Sequence, residues 1–336
     1  MKYYKATVVS ELGGNDVLQL TKLLLKQPDS DEVCIKVSHC GVGFVDILMR
    51  KGSYPNLPPC PFILGQDVVG YIYAKGFDVQ TLEIGQRVIA HMSAGGYTEF
   101  SFVNKNSVIP VSENFDGAEL VSLPLNYVTA YQLLHRTAKI KDNTTILVHG
   151  GAGGVGTAIL ELAKISNVKV YATVSSKKRD AVIQRGAIPI NYNDVDFVSY
   201  LNEHCPDGVD AVLDPIGGDY WKRSAQVLKK GGILAGYGFS SLVSGDDFVT
   251  SNELPTIIGE LYQLSNFGIK PIWYSISALK VTHPEWYLED LIKLISLLEG
   301  NLIKPEVNSL FPLCHANLAH EEIEKGEAIG KVVLTI

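Results

Sequence analysis

A glycine-rich stretch between a strand pattern and a helix pattern constrains the fold of this chain most strongly. Residues 145–148 form a β-branched, largely apolar run typical of a buried parallel strand, and periodic apolar positions after Gly156 are typical of a helix. Between them, Gly151, Gly153 and Gly156 match G-x-G-x-x-G in the context where that pattern is informative. Such glycines allow a tight turn and a close approach of a pyrophosphate to the helix N-terminus. The stretch predicts a dinucleotide-binding site.

Length and charge limit the class of protein. At 336 residues the chain exceeds the size at which one hydrophobic core stops growing, so two domains are expected. A formal net charge of −7, without a block of like charge, argues against a nucleic-acid or anionic-membrane surface. The cysteines number five and show no C-x-x-C spacing, which favours reduced thiols. No signal-peptide pattern or apolar run of membrane-spanning length is seen, so a cytoplasmic location is expected.

The N-terminal part of the chain is rich in short β-like segments separated by glycine and proline turns. One helix is predicted, from Gly43 to Arg50. The strands are predicted at Tyr3–Val9, Glu32–Val37, Gln66–Tyr73, Arg87–Ala90 and Tyr97–Val103. This pattern predicts an antiparallel, barrel-like first domain.

From about Asn126 onwards, strand and helix patterns alternate. Further strands are predicted at 168–174, 188–190, 209–214 and 232–237, and helices at 177–185, 195–204 and 220–228. The alternation predicts a doubly wound α/β domain, in which helices cover both faces of a parallel sheet. Ligands of such domains bind at the carboxyl ends of the strands. The segments expected there are Asp214-Pro215 and Tyr237-Gly238-Phe239.

Residues 240–270 are irregular in pattern. Ser244 and Gly245 are typical of a loop, and a helix is predicted over Leu254–Leu264. A surface excursion, a lid over a pocket and a dimer contact all remain open for this segment.

A longer helix is predicted from Pro284 to Glu299. Its helically spaced apolar stripe is predicted to face the core and consists of Trp286, Leu288, Leu291, Ile292, Ile295 and Leu298. Two closing strands are predicted, at Ile303–Leu310 and Lys331–Ile336.

The end of the second strand of the dinucleotide unit indicates which nucleotide it binds. Sites for NAD usually carry an acidic residue about 20 residues beyond the glycine pattern, bonded to the ribose hydroxyls. Here the strand is followed by Ser175, Ser176 and Lys177, and no carboxylate appears before Asp180. Two hydroxyls and an ammonium suit a 2′-phosphate through charge-assisted hydrogen bonds. The sequence therefore favours NADPH over NADH.

Several motifs, in order, resemble the medium-chain dehydrogenase/reductase superfamily. They are residues 123–131 (LPLNYVTAY), 149–156 (HGGAGGVG), 210–218 (DAVLDPIGG) and 330–334 (GKVVL). Within it, the chain resembles the zinc-independent quinone oxidoreductases, a branch that includes ζ-crystallin-like and vesicle amine transport protein homologue-like members. The resemblance implies a GroES-like β-barrel catalytic domain, over 1–122 and 281–336, and a Rossmann NADP(H)-binding domain over 123–280. It also implies a homodimer formed through the cofactor domain.

The resemblance also implies positions for the cofactor. Thr129 would lie near the nicotinamide, and Asp214, Pro215, Tyr237, Gly238 and Phe239 would line the rest of the groove. The pyrophosphate would lie at Gly151, Gly153, Gly154, Val155 and Gly156. The 2′-phosphate would lie among Ser175, Ser176, Lys177 and Tyr192.

Residues at the zinc-ligand positions of related alcohol dehydrogenases can be compared one by one. The matching positions are Gly43, Gln66 and Leu125, none of which is a usual zinc ligand. No metal is therefore expected. Related quinone reductases also often place an Asn, and five residues later a Tyr, in the substrate pocket. Gly43 and Leu48 stand there in this chain, which makes the pocket more apolar.

The remaining pocket candidates are polar. The resemblance places Asp46, Tyr54 and Gln66 with Gly43 and Leu48 in the substrate pocket. Asp46 is expected mainly to bond backbone at the start of its helix. Thr129, Tyr54 and Gln66 are the candidate donors to a developing oxyanion.

Two functions are compatible with these residues. The first is NADPH-dependent hydride transfer to quinones or α,β-unsaturated carbonyl compounds, which are electrophilic without a metal. The second is an NADPH-binding protein with little or no catalysis that acts through a partner, which the apolar pocket favours.

Overall fold

The computed structural model describes residues 2–243, 249–250 and 252–336. The chain forms two units. Unit 1 comprises the chain up to Leu125 together with Pro305–Ile336, and unit 2 comprises Asn126–Lys304. These divisions lie at 125/126 and 304/305, whereas the sequence was divided at 122/123 and 280/281. The loop predicted at Ser244 and Gly245 lies outside the described residues.

The N-terminal part of unit 1 is built from short strands and two helices. Helix α1 spans Phe44–Lys51 and α2 spans Gly117–Leu120. The strands are β1 (Tyr3–Val9), β2 (Leu18–Leu24), β3 (Glu32–Val42), β4 (Phe62–Ile63), β5 (Asp67–Lys75), β6 (Arg87–His91), β7 (Phe100–Asn104) and β8 (Val108–Pro110). The predicted strands and the predicted helix are all found here, with ends that differ by a few residues.

Unit 2 alternates strands with helices. Its described strands are β9 (Thr145–Val148), β10 (Lys169–Val174), β11 (Ile188–Asn191), β12 (Val209–Asp214), β13 (Leu228–Gly236) and β14 (Lys270–Trp273). Its described helices are α3 (Val128–Tyr131), α4 (Gly154–Ile165), α5 (Arg179–Gln184), α6 (Phe197–His204), α7 (Asp219–Ala225), α8 (Leu254–Gln263), α9 (Ile276–Thr282) and α10 (Pro284–Glu299). Helix α3 is flanked by π-helical turns at Leu123–Tyr127 and Gln132–Thr137.

The sheet of unit 2 confirms the predicted parallel α/β architecture. Its order is β11-β10-β9-β12-β13-β14, and every neighbouring pair is parallel. Counted within the unit, this is the order 3-2-1-4-5-6 of a doubly wound dinucleotide fold, with the strand order reversing beside β9. The glycine-rich stretch follows β9, so it lies at the point where ligands bind in such sheets.

The C-terminal segment completes unit 1. It contains β15 (Val307–Pro312), α11 (Ala316–Glu324) and β16 (Lys331–Thr335). One sheet has the order β2-β1-β4, and the other has the order β15-β16-β3-β5-β6-β8, with β7 also pairing β3. Strand β16 pairs antiparallel with β3, so residues at the two ends of the chain share one sheet.

A buried ion pair ties β16 to the core of this sheet. The Lys331 ammonium lies 2.7 Å from the Asp67 carboxylate, and both side chains are 1% exposed. Burial raises the pKa of Asp67, and the ammonium opposes that rise. The C-terminal strand is thus fixed by a charge pair as well as by backbone hydrogen bonds.

The apolar stripe predicted for α10 is partly wrong. Leu288 and Ile292 are 44% and 50% exposed, whereas the buried face contains Tyr287, Asp290, Leu291, Leu294, Leu297 and Leu298. The reason is Asp290, whose carboxylate accepts hydrogen bonds from Gln132 and Arg136 and is 1% exposed. These bonds turn the helix so that an acidic residue faces inward. The same contacts keep α10 in unit 2.

This orientation predicts different costs for two leucines of α10. Leu291→Ala is expected to lower the free energy of unfolding by about 2–5 kcal/mol, because it removes a buried side chain from a packed core. Leu288→Ala serves as the matched control on the exposed face and is expected to change it by about 0.5 kcal/mol or less. Urea unfolding of both variants measures the difference. Equal losses would contradict the observed orientation.

Candidate functional site

The glycine-rich loop of unit 2 lies tightly on its sheet. The Gly151 N–H donates to the Thr173 carbonyl at 3.1 Å, and the Gly153 N–H donates to the Gly150 carbonyl at 3.0 Å. A Cβ at Gly151 would lie 2.7 Å from the Ala172 Cβ, and a Cβ at Gly156 would overlap the Gly150 carbonyl oxygen. These two glycines are therefore required for the loop itself to pack.

Gly153 differs from those two glycines. It precedes α4 in an extended conformation, and a Cβ there would approach only the Gly150 carbonyl oxygen, at 3.4 Å. Helix α4 has no side-chain cap at this end. The N–H groups of its first turn, at Gly154, Val155 and Gly156, therefore remain a suitable cradle for a pyrophosphate.

The residues predicted to hold a 2′-phosphate lie at neighbouring strand ends. Strands β10 and β11 are in parallel register with Val174 opposite Asn191, and the Tyr192 N–H donates to the Val174 carbonyl at 3.3 Å. Ser175 is half-buried, whereas Ser176, Lys177 and Tyr192 are exposed. The sheet thus brings Tyr192 to the same edge as the Ser175–Lys177 turn.

The ends of β12 and β13 form another part of the candidate groove. The Tyr237 N–H donates to the Asp214 carbonyl at 3.0 Å, which joins the two segments. Asp214 is fully buried and Phe239 is 4% exposed, with the Phe239 ring stacked on Trp273. These two side chains therefore do not face a ligand. Among the residues predicted here, Pro215, Tyr237 and Gly238 retain exposed surface.

The Asp214 carboxylate instead organises its own loop. Its Oδ1 atom accepts the Ile216 N–H at 2.7 Å and the Gly217 N–H at 3.1 Å. Burial raises the pKa of Asp214 to about 6, although these hydrogen bonds act in the opposite direction. The carboxyl group is therefore predominantly ionised at neutral pH.

Thr129 lies in α3 beside a second buried polar group. Its side chain is 6% exposed. Burial raises the pKa of the Tyr274 phenol, and a hydrogen bond from Thr129 opposes that rise. The Tyr274 hydroxyl donates to Gln132 Oε1 at 2.9 Å, and Gln132 Nε2 donates to Asp290 at 3.0 Å. The Thr129 hydroxyl is thus held by a chain that sequence reasoning missed.

In unit 1, the candidate pocket residues cluster around the start of α1. The Asp46 carboxylate accepts the Gly43 N–H at 2.8 Å and the Gly65 N–H at 2.9 Å, as expected for a residue that binds backbone. Burial raises its pKa to about 6, and both hydrogen bonds oppose the rise. Asp46 is 1% exposed, so it holds two backbone segments together rather than facing a substrate.

The other candidate pocket residues of unit 1 differ in burial and in whether their polar groups are already hydrogen-bonded. Gln66 Nε2 donates to the Ser93 carbonyl at 3.1 Å, so this amide is already engaged. Leu48 is 7% exposed, and Tyr54 is half-buried against the core of unit 1. Of the donors predicted in this unit, Tyr54 retains the greater freedom.

Two of the positions that match zinc ligands in related enzymes, Gly43 and Leu125, lie next to each other. A Cβ built on Gly43 would lie 3.3 Å from Leu125 Cδ2, so the leucine side chain fills the space beside the glycine. Within the described residues, no three His, Cys, Asp or Glu side chains are grouped so that they could hold a metal ion. Over the same part of the chain, no helix has the length and apolar character needed to cross a membrane.

Comparison with known proteins gives two family matches. Residues 29–113 match the alcohol dehydrogenase GroES-like domain, and residues 186–334 match the zinc-binding dehydrogenase model. The Danio rerio synaptic vesicle membrane protein VAT-1 homolog is 29% identical over 357 residues, covering 99% of this chain and 70% of that protein. The Mus musculus quinone oxidoreductase is 28% identical over 343 residues, covering 100% of this chain and 98% of that protein.

A solved structure gives the same result for the fold. The Escherichia coli quinone oxidoreductase, determined in complex with NADPH, superposes with a TM-score of 0.88 at 28% identity, covering 99% of this chain and 100% of the other. The predicted combination of a GroES-like domain with a Rossmann domain is confirmed. The chain belongs to the medium-chain dehydrogenase/reductase superfamily, in its branch of zinc-independent quinone oxidoreductases.

Proposed function

We propose that the protein is a zinc-independent, NADPH-dependent reductase of quinones or α,β-unsaturated carbonyl compounds. The observation that carries the proposal is the carboxyl edge of the unit 2 sheet. There an uncapped helix N-terminus stands at the end of β9, and a turn with two serines and a lysine stands at the end of the neighbouring β10. The first suits a pyrophosphate and the second a 2′-phosphate. The similar Escherichia coli quinone oxidoreductase, solved in complex with NADPH, supports the same cofactor.

The roles proposed for the two units follow from their residues. Unit 2 would bind NADPH, which when bound supplies a hydride, and unit 1 would contribute substrate-pocket residues. Gly43 and Leu48 leave that pocket apolar, which suits a flat quinone or enone that is already electrophilic. Tyr54 is the proposed hydrogen-bond donor to the developing oxyanion, because the single hydroxyl hydrogen of Thr129, the other candidate, is already donated to Tyr274.

Lys177 provides a test of the cofactor preference. With wild type, the ratio of kcat/KM for NADPH to that for NADH is expected to be at least about tenfold, because a charge-assisted contact to the 2′-phosphate is worth about 1.5 kcal/mol or more. Lys177→Ala is expected to remove most of that preference by weakening NADPH alone. Steady-state oxidation of both nucleotides with ortho-quinones, para-quinones and enones measures it. Lys293→Ala, an exposed lysine of α10, is the matched control.

The outcomes of this assay separate the two candidate functions. Multiple turnovers with any acceptor support a reductase. NADPH binding in a fluorescence titration, without turnover on any acceptor, would instead support a cofactor-binding protein that acts through a partner. The Leu125 side chain beside Gly43, and the similarity to VAT-1 homologs, are the observations that favour this second candidate. An unchanged preference in Lys177→Ala would refute the proposed 2′-phosphate site.

A homodimer formed through unit 2 is also proposed. Strand β14 is an edge strand of the described sheet of unit 2. The exposed rings of Tyr262, in α8, and Phe267, in the turn that follows, lie on elements that pack against this strand. An edge strand with apolar neighbours is a common pairing surface. Light scattering coupled to size exclusion tests this, since a single species of monomer mass would refute it.

A cytoplasmic location stays a prediction.

A further inference from the structure

A fully buried polar chain lies beneath the glycine-rich loop. His149 Nδ1 lies 3.0 Å from Thr173 Oγ1, and His149 Nε2 lies 3.0 Å from Ser224 Oγ. Ser224 Oγ donates to Asp214 Oδ2 at 3.2 Å, and the Gly150 N–H donates to Thr173 Oγ1 at 3.2 Å. All four of these side chains belong to residues that are at most 3% exposed. This chain of hydrogen-bonded side chains therefore connects the glycine loop to the loop after β12 and is buried along its whole length.

The direction of every hydrogen bond in this chain follows from its acidic end. An ionised carboxylate can only accept, so the single hydroxyl hydrogen of Ser224 points to Asp214. The Ser224 oxygen then accepts from His149 Nε2–H. Burial lowers the pKa of His149 to about 3, so the ring is neutral and carries only that one hydrogen. His149 Nδ1 must accept from the Thr173 hydroxyl, whose oxygen accepts from Gly150.

Because all the donors point the same way, each bond polarises the next and strengthens the set. At its far end the Asp214 carboxylate also accepts the N–H groups of Ile216 and Gly217. One buried anion thus holds the glycine loop through three side chains and holds the loop after β12 directly. The four side chains come from three strand ends and from α7, which fixes the spacing of these segments.

We infer that His149, Thr173, Ser224 and Asp214 are positioning residues that set the affinity for the pyrophosphate of a dinucleotide. They act by holding the loop at Gly150 and the loop at Ile216–Gly217 at a fixed position relative to each other. The inference rests on the proposed cofactor-binding function. None of the four side chains touches the cofactor itself, because all are buried.

Thr173 offers a sharp test, because its hydroxyl can be removed or kept with little change of shape. Thr173→Val is expected to raise the Kd of NADPH and of NADH by the same factor, about tenfold, since it leaves the Gly150 N–H and His149 Nδ1 unpaired. The kcat at saturating cofactor is expected to stay within about twofold, because the chain acts on binding rather than on the hydride step. Thr173→Ser, which keeps the hydroxyl, is expected to bind both nucleotides within about twofold of wild type.

Several outcomes would overturn the inference. Wild-type affinity in Thr173→Val is one. A loss that affects NADPH but not NADH, as expected for Lys177→Ala, is another. An equal loss in Thr173→Ser and Thr173→Val would show that the methyl packing matters rather than the hydroxyl. If Thr173→Val does not fold, Ser224→Ala removes the next member of the chain and is judged in the same way.

A spectroscopic measurement reads the chain without any cofactor. In protein with ¹⁵N-labelled histidine, the His149 signal is identified by its loss in His149→Gln. The signal is expected to show the neutral Nε2–H tautomer from pH 6.5 to pH 8, because this whole range lies more than three pH units above the His149 pKa of about 3. An Nδ1–H tautomer or a cationic ring would contradict the donor and acceptor roles assigned to His149. Wild type that shows this tautomer but binds no dinucleotide would refute the proposed function instead.

Discussion

Lys331→Met is expected to lower the free energy of unfolding of unit 1 by about 3–5 kcal/mol, because it leaves the Asp67 carboxylate buried without its partner. Both side chains are 1% exposed, so water cannot replace the lost ammonium at the carboxylate. The strand that carries Lys331 also closes the sheet beside β3, so the loss is expected to loosen the C-terminal segment. Thermal and urea unfolding measure the change.

The cost of Lys331→Met should depend on pH in a defined direction. Burial already raises the pKa of Asp67, and without the opposing ammonium the pKa rises further. A group whose folded pKa is raised binds protons more tightly in the folded state, so stability falls as pH rises through the window between the unfolded and folded pKa values. The variant is therefore expected to lose more stability at pH 8 than at pH 5.

Two further variants control for this prediction. Lys325→Met replaces an exposed lysine and is expected to leave the unfolding midpoint unchanged. The double variant Asp67→Leu with Lys331→Met removes both charges, and it is expected to be more stable than Lys331→Met alone. A single variant as stable as wild type would show that the pair contributes nothing to the fold.

The glycines of the nucleotide loop are expected to separate binding from folding. Gly153→Ala is expected to leave the unfolding midpoint near that of wild type, because the added Cβ would make only one ordinary contact. The same variant is expected to raise the Kd of NADPH about 100-fold, because the added Cβ would occupy the space into which the pyrophosphate binds. Gly156→Ala is expected to lose both stability and binding, because its Cβ would overlap the Gly150 carbonyl oxygen. Unfolding curves and NADPH titrations on the same samples measure both properties.

Gly259→Ala is the matched control for the glycine variants. It lies within α8, where an added Cβ meets nothing within 4 Å, so it is expected to stabilise slightly by about 0.5–1 kcal/mol and to leave binding unchanged. If Gly153→Ala binds NADPH like wild type, the pyrophosphate does not approach this helix N-terminus.

The alternation of strands and helices after Asn126 was sufficient to predict β9 to β13 of the unit 2 sheet, because the strands at its centre are largely buried. Strand β14 was not predicted, since it is short and only partly buried at the edge of the described sheet. The sequence failed where tertiary contacts overrode the local pattern. Asp290 looks like a surface residue on α10, yet Gln132 and Arg136 draw it inward and expose Leu288. No period in the sequence reveals a partner that lies about 150 residues away.

The candidate site was predicted where backbone position alone decides it. The end of the predicted second strand indicated Ser175, and the glycine pattern indicated the start of α4, whereas Tyr192 was implied only by the family resemblance. The chain through His149 was missed, because its members are single polar residues on separate elements. A weak sign was available: Thr173 interrupts the otherwise apolar end of β10, and His149 directly follows an apolar strand.

Unit 1 is discontinuous, and this affects how the chain can fold while it is being synthesised. Strand β3 leaves the ribosome before unit 2 is made, but its partner β16 is made only after unit 2. Unit 2 is continuous and is complete once Lys304 has emerged. Unit 2 can therefore fold before unit 1 is complete. Residues 32–36 of β3 can already pair with β7, but residues 39–42, which pair with β16, must wait unpaired. This unpaired stretch makes the nascent chain dependent on protection against association until β16 has been made.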